Sequence, residues 1–188
     1  MRHYNNIDHQ RQLIFLHPNR CGGKSIENVI WERPAKHKSS DHSLPKDFIK
    51  KYGKETWNSY FKFGFCRNPW DRIASLYYYR KNNLKKFPFT SLLEYIKFGV
   101  EEFNIDFIPQ VHWFYLDNEP IDFIGRFENY NDDYSKLSKL INLKKSLPKL
   151  NFSFNRRPYQ ELFQTKEKNL VENLFEEDIK TFQYKFYS

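Results

Sequence analysis

Apolar and polar positions alternate along the chain in two rhythms, short apolar runs and longer amphipathic stretches. Gln12-Leu-Ile-Phe-Leu-His17 is an apolar run that stops at Pro18, Gly22 and Gly23, the pattern of a buried strand running into a loop. Lys24–Glu32 follows with Ile26, Val29 and Ile30 on one helical face. Tyr60-Phe-Lys-Phe-Gly-Phe-Cys66 alternates aromatic with small or polar residues and predicts a second strand, broken at Arg67-Asn68-Pro69. Asn68 is a good N-cap, Pro69 suits the first helical position, and Asp71 places charge near the positive helix end. That helix is predicted to run to about Arg80, with Ile73, Leu76 and Tyr77 at helical spacing. Ile121–Gly125 predicts a third strand, ending at Arg126-Phe-Glu-Asn129, and a helix from there to Leu140. Shorter helices are expected near Lys46–Tyr52 and Ser91–Phe98. Asn151–Pro158 reads as a loop carrying Arg156 and Arg157. Thr165–Phe182 predicts one long amphipathic helix with Leu170, Val171, Leu174, Phe175, Ile179 and Phe182 as its stripe.

Strands alternating with helices imply an α/β domain with a central parallel sheet flanked by helices. Ligands of such sheets sit beyond the carboxyl ends of the strands. The turns bearing Arg20, Arg67 and Arg126 all fall there. No repeat, low-complexity block or linker divides the chain, so residues 1–188 are expected to form a single domain, with 1–11 a flexible tail.

Composition narrows the partners. The residues are 39% hydrophobic and 19% aromatic, which is globular rather than disordered. A formal net charge of +8 favours anionic partners such as nucleotides, phosphates, acidic glycans or nucleic acid, without choosing among them. Cys21 and Cys66 are the only cysteines, too few for a disulfide framework, and a reduced compartment is the simpler expectation. The polar N-terminus has no signal-peptide h-region, and no run approaches about 18 apolar residues. The expected location is therefore cytoplasmic, or the cytoplasm of a host cell, with no membrane span.

Two motifs carry chemistry. In His17-Pro-Asn-Arg-Cys-Gly-Gly-Lys-Ser-Ile26, two glycines let backbone amides approach a phosphate, and the helix that begins there points its dipole at the anion. Arg20, Lys24 and the Ser25 hydroxyl add charge and donors. The loop is P-loop-like without being a nucleotide-triphosphate P-loop. The Walker pattern needs glycine at position 18, where this chain has proline. Neither later strand ends in the aspartate that would hold magnesium, so no metal is expected. In Phe65-Cys-Arg-Asn-Pro-Trp-Asp-Arg-Ile-Ala-Ser75, Arg67 precedes a helix N-terminus. Ser75 shares a helix face with Asn68, Arg72 and Tyr79, so Arg67 and Ser75 are placed to grip one phosphate. The plainer alternative is a well-capped helix with a salt bridge from Asp71 to Arg67 or Arg72.

Together these motifs resemble the two nucleotide-binding signatures of the membrane-type carbohydrate sulfotransferases, the sulfotransferase family 2 group. The family's first loop reads like Pro-Lys-Thr-Gly-Gly-Thr-Ser, and its second motif like Phe-Val-Arg-Asn-Pro-Tyr-Asp-Arg-x-x-Ser. Asp122–Asn129, Leu150–Ser153 through Tyr159, and Val171–Phe186 resemble further segments of that family, so the likeness spans Leu13 to Phe186. The resemblance implies sulfuryl transfer from 3′-phosphoadenosine 5′-phosphosulfate (PAPS) to a hydroxyl acceptor, a glycan, with nucleic acid not expected as a partner. Arg20, Cys21, Gly22, Gly23, Lys24 and Ser25 would bind the 5′-phosphosulfate. Arg67 and Ser75 would bind the 3′-phosphate, with Arg126, Arg156 and Arg157 completing the nucleotide site. Arg20 stands where the family usually has lysine, and Lys24 where it usually has threonine. Arg20 and Lys24 are thus the pair expected to stabilise charge on the leaving phosphate.

The transfer needs a proton acceptor near neutral pH, which points to histidine. Of the six histidines, His3 and His9 lie in the polar tail, His17 precedes the loop as a support, and His112 precedes Trp113 in a predicted helix. His37 lies between the two motifs, where the family often places its catalytic histidine, and is the expected base, with His42 five residues on as the runner-up. Two rivals come from other classes. A P-loop kinase conflicts with Pro18 and the absent aspartate. A basic nucleic-acid binder conflicts with aromatics that fall in core-facing periods.

Overall fold

A computed structural model describes residues 6–33, 41–148 and 157–187. The elements are, in order, β1 (Ile7–Asp8), β2 (Leu13–Leu16), α1 (Gly23–Trp31), α2 (Pro45–Tyr52), α3 (Lys54–Ser59), β3 (Phe61–Cys66), α4 (Pro69–Asn83), α5 (Leu92–Glu102), α6 (Val111–Phe114), β4 (Tyr115–Leu116), β5 (Glu119–Pro120), β6 (Phe123–Arg126), α7 (Tyr130–Leu140), α8 (Tyr159–Leu162), α9 (Thr165–Leu174) and α10 (Glu176–Phe182). They fall into two compact units, one of Met1–Cys66 with His112–Ser153, the other of Arg67–Val111 with Phe154–Ser188.

The first unit holds the sheet, in the order β1-β2-β3-β6. β2, β3 and β6 run parallel, with Phe15 opposite Phe63 and Cys66 opposite Arg126. One face is apolar because alternate strand residues point the same way: Phe15, Phe63 and Phe65 pack with Ile26, Val29 and Ile30 of α1 and with Tyr134 and Leu137 of α7. On the opposite face Gly64 makes room for a ring, since a Cβ there would lie 2.4 Å from Phe114 Cε1. The stretch expected as a flexible tail contributes to this unit: Ile7–Asp8 pairs antiparallel with β2, and Asn6 is fully buried. β4 and β5 form a hairpin across Asp117 and Asn118, both left-handed (φ 52° and 68°), as the commonest two-residue hairpin turn requires.

The second unit is helical. Asn68 Oδ1 accepts the Trp70 N–H at 3.1 Å, the cap the sequence predicted, and α4 continues to Asn83, past the expected end near Arg80. Arg72 on α4 is fully buried, donating from Nη1 to Ile108 O at 3.1 Å with its guanidinium 5.8 Å from the Phe175 ring centre. Arg80 binds both carboxylate oxygens of Asp106, which also accepts from Tyr95 Oη. The expected single helix over Thr165–Phe182 is instead two. Phe175 leaves helical geometry (φ −121°, ψ 30°), buries its ring, and lets α10 restart on Glu176, Glu177 and Asp178, acids suited to a helix N-terminus. The break turns Asp178 inward, fully buried, and leaves Leu174, counted in the apolar stripe, 41% exposed.

Candidate functional site

The loop between β2 and α1 is built by rings packed against glycines. The buried His17 ring stacks on Phe15 (centroids 5.2 Å apart) and lies so close to Gly23 that an added Cβ would stand 1.8 Å from Nε2. Gly22 is left-handed (φ 83°), and the Tyr130 ring covers it: a Cβ would fall 2.7 Å from Cζ. Tyr130 Oη donates to Gly22 O at 2.6 Å, and its burial drives its pKa upward. Both glycines are therefore demanded by packing, and Gly22 by backbone conformation as well. Arg20 also adopts a left-handed conformation (φ 66°), at a local cost of roughly 1–2 kcal/mol for a residue with a Cβ. Strain of that kind collects at functional turns.

The loop's electrostatics suit an anion. α1 starts at Gly23 with no acidic residue in its first turn, so its opening amides and dipole meet no competing carboxylate there. Lys24 is half-buried, and burial lowers its pKa, assisted by Arg20 and Arg33 and opposed by Glu27. Cys21 and Ser25 are buried. Arg126 is half-buried at the end of β6, where its N–H donates to Asp133 Oδ2 at 2.8 Å.

Behind the loop lies a buried polar chain that the sequence did not disclose. Arg33 Nη1 pairs with Glu27 Oε1 at 3.2 Å and donates to Asn6 Oδ1 at 2.7 Å. Glu27 Oε1 also stands 3.6 Å from His17 Nδ1. His42 packs its ring 4.6 Å from that of His17, with Nδ1 2.7 Å from His17 O. A carbonyl only accepts, so the hydrogen bond places the proton on Nδ1 and leaves the lone pair of the neutral ring on Nε2. Burial, then the neighbouring His17, push the His42 pKa down to about 4. Trp113 Nε1 donates to His42 O at 3.1 Å and fixes the backbone.

The second motif is organised differently. Arg67 is buried, and its Nε and Nη2 both reach Asp71 Oδ2 at 2.7 Å, the salt bridge of the plainer alternative. Its backbone is held by Gln110, whose Oε1 accepts the Arg67 N–H and whose Nε2 donates to Arg67 O, each at 2.8 Å. Asp178 in turn accepts from Gln110 N (2.9 Å), Gln110 Nε2 (3.1 Å) and Val111 N (2.9 Å). Burial raises the Asp178 pKa, against those three hydrogen bonds and Arg72. Asn68 Nδ2 donates to Tyr159 Oη and to Lys185 O. Ser75 is buried on α4, about two helical turns beyond the N-cap Asn68.

Residues Arg20 to Ser25, and Arg126, thus belong to the first unit, and Arg67 and Ser75 to the second. Arg157 is exposed. His37 and Arg156 lie outside the described residues. Glu27, Tyr130 and Gln110 are the partners that sequence reasoning missed.

These features define a class: an α/β protein, mostly parallel, whose basic glycine loop leads into the first helix. Within that class a profile of the sulfotransferase family matches residues 5–185, and the chain belongs to that family. Membership carries sulfuryl transfer as its general chemistry. An uncharacterized protein of Archaeoglobus fulgidus is 35% identical over 100 residues, covering 50% of this chain and 78% of that protein. No solved structure matches the chain. Among the described residues no helix is long and apolar enough to cross a membrane.

Proposed function

We propose that the protein transfers a sulfuryl group from PAPS to a hydroxyl of a carbohydrate. When bound, PAPS supplies the sulfuryl group and departs as 3′-phosphoadenosine 5′-phosphate. The observation that carries the reading is the loop: a left-handed Arg20 and Gly22, then a helix start without acidic residues, beside Lys24. Such a P-loop-like turn fits a phosphosulfate, because preorganised amides and cations stabilise the charge that collects on the oxygen linking sulfur to phosphate. Arg20, Lys24, Ser25 and the amides around Gly22 and Gly23 would hold that group. Arg67 and Ser75 would hold the 3′-phosphate, with Arg126, Arg156 and Arg157 around the nucleotide.

As the acceptor oxygen bonds to sulfur, its proton must leave, and a histidine between the two motifs would take it. His37 is the candidate by position. His42, five residues on, is the alternative: its Nδ1 contact with His17 O leaves Nε2 as the acceptor, and burial keeps the ring neutral with a pKa of about 4, which makes it a weaker base than a solvated histidine.

Calorimetry with 3′-phosphoadenosine 5′-phosphate, AMP and ATP tests the reading. The bisphosphate should bind far more tightly than the other two. Equal affinities would remove the separate 3′-phosphate site and the reading with it.

A further inference from the structure

Arg67 occupies a gap in the regular structure. β3 ends at Cys66, and the first helical hydrogen bond of α4 runs from Arg72 N to Asn68 O at 2.8 Å. The N–H and C=O of Arg67 belong to neither element, and Pro69, two residues on, has no N–H to offer. A buried connection of this kind must find its partners elsewhere. Both come from one side chain: the Gln110 amide accepts from Arg67 N and donates to Arg67 O, each at 2.8 Å, as a neighbouring strand would. That amide is itself oriented. A primary amide can be turned end for end at little cost, but Asp178 Oδ2, 3.1 Å from Nε2, admits only the NH₂ end. Asp178 is set in turn by the backbone N–H groups of Gln110 and Val111. Gln110 and Asp178 are both fully buried.

We propose that Gln110, oriented by Asp178, is a positioning residue for 3′-phosphate recognition: it fixes the backbone of Arg67, and so the point from which the guanidinium reaches the phosphate. The proposal rests on the reading that Arg67 binds the 3′-phosphate. The Asp71 pair restrains the side chain at its far end, while Gln110 restrains its root. Losing the root restraint leaves the guanidinium present but misdirected. Recognition of a 3′-phosphate then weakens, whereas a nucleotide without one is unaffected.

The experiment measures affinities for 3′-phosphoadenosine 5′-phosphate and for AMP on wild-type protein, Gln110→Ala, Gln110→Glu, Asp178→Asn and Arg67→Ala, with thermal midpoints alongside. The ratio of the two affinities is the readout, because a general loss of structure lowers both alike. Gln110→Ala should reduce the ratio about tenfold, the scale of one or two lost buried hydrogen bonds. Gln110→Glu and Asp178→Asn, close in volume to the natural residues, should reduce it by a smaller factor. These two report on the clamp even where the alanine variant fails to fold. If Arg67→Ala lowers the ratio while every Gln110 and Asp178 variant leaves it at the wild-type value, the positioning role is wrong and the nucleotide reading stands. If Arg67→Ala itself leaves the ratio unchanged, the 3′-phosphate assignment fails and the positioning role fails with it.

Discussion

The two motif regions reach order by opposite means. The loop of residues 17–25 is shaped by rings against bare backbone, His17 on Gly23 and Tyr130 on Gly22. Its cations stand at a helix start without acids. The connection at Arg67 and Asn68 is shaped by directed hydrogen bonds, from Arg67 N to Gln110 and from Asn68 Nδ2 to Tyr159 Oη and Lys185 O, and its arginine already has a carboxylate partner in Asp71. Ring-on-glycine packing is unforgiving of added volume and insensitive to charge. A hydrogen-bonded clamp tolerates changes of size better than the loss of a donor or acceptor. The first region should therefore fail sterically, the second by losing selectivity.

The largest effect is expected at the proton-accepting histidine. His37→Ala should lower single-turnover rate about 10²- to 10⁴-fold, the range for a positioned general base, with nucleotide affinity near wild type. His42→Ala measured alongside decides between the two histidines. The pH–rate profile separates the two further. A His42 base, with its pKa near 4, keeps the rate flat through neutrality and loses it only toward pH 4. A solvated histidine would place that limb near about pH 6.5.

Arg67→Ala comes next and should weaken binding of the bisphosphate nucleotide by about 1.5–3 kcal/mol in calorimetry, the cost of a lost charge-assisted contact. Melting with affinity intact would make the arginine purely structural. Gly23→Ala should destabilise the fold by about 1–3 kcal/mol in urea unfolding, because the new methyl meets the His17 ring. An unchanged midpoint would mean that the ring moves aside at no cost and that shape does not define the loop. Ser75→Ala should cost least, about 1 kcal/mol of nucleotide affinity.

Stability should also carry the mark of His42. Its folded pKa of about 4 lies below the roughly 6.5 of an unfolded histidine. The unfolded chain therefore takes up this proton first as pH falls. The contribution is complete above about pH 6.5 and is lost progressively from there down to pH 4. His42→Gln should flatten the stability curve in that window relative to wild type. Parallel curves would show that the ring is solvated when folded.

Much of the framework around both regions was legible because its causes are local. An apolar run, two glycines and a periodic helix lie within twenty residues, and β2, α1, β3 and the Asn68 cap form where the pattern puts them. β1 and the β4–β5 hairpin, each strand two residues long, are too short to show a period. The break at Phe175 was hidden because the apolar spacing runs on through it, and the contact it allows, Asp178 with Gln110, is between residues far apart in the chain. Gln110 lies 43 residues from the backbone it holds, and no spacing rule links a glutamine to a distant peptide group. The Arg33–Glu27–His17 chain was hidden for a related reason: three polar residues in or beside a predicted strand and helix read as surface until burial brings them together.

The central claim is sulfuryl transfer from PAPS to a carbohydrate hydroxyl. The most direct test is to incubate the protein with sulfur-35-labelled PAPS on a glycan array, with phosphorus-labelled ATP and magnesium as the parallel arm. The account predicts sulfur label esterified to a subset of glycans, abolished by Arg20→Ala with Lys24→Ala, and no transfer from ATP. Phosphorus label on the acceptors, with none of the sulfur label, would contradict it.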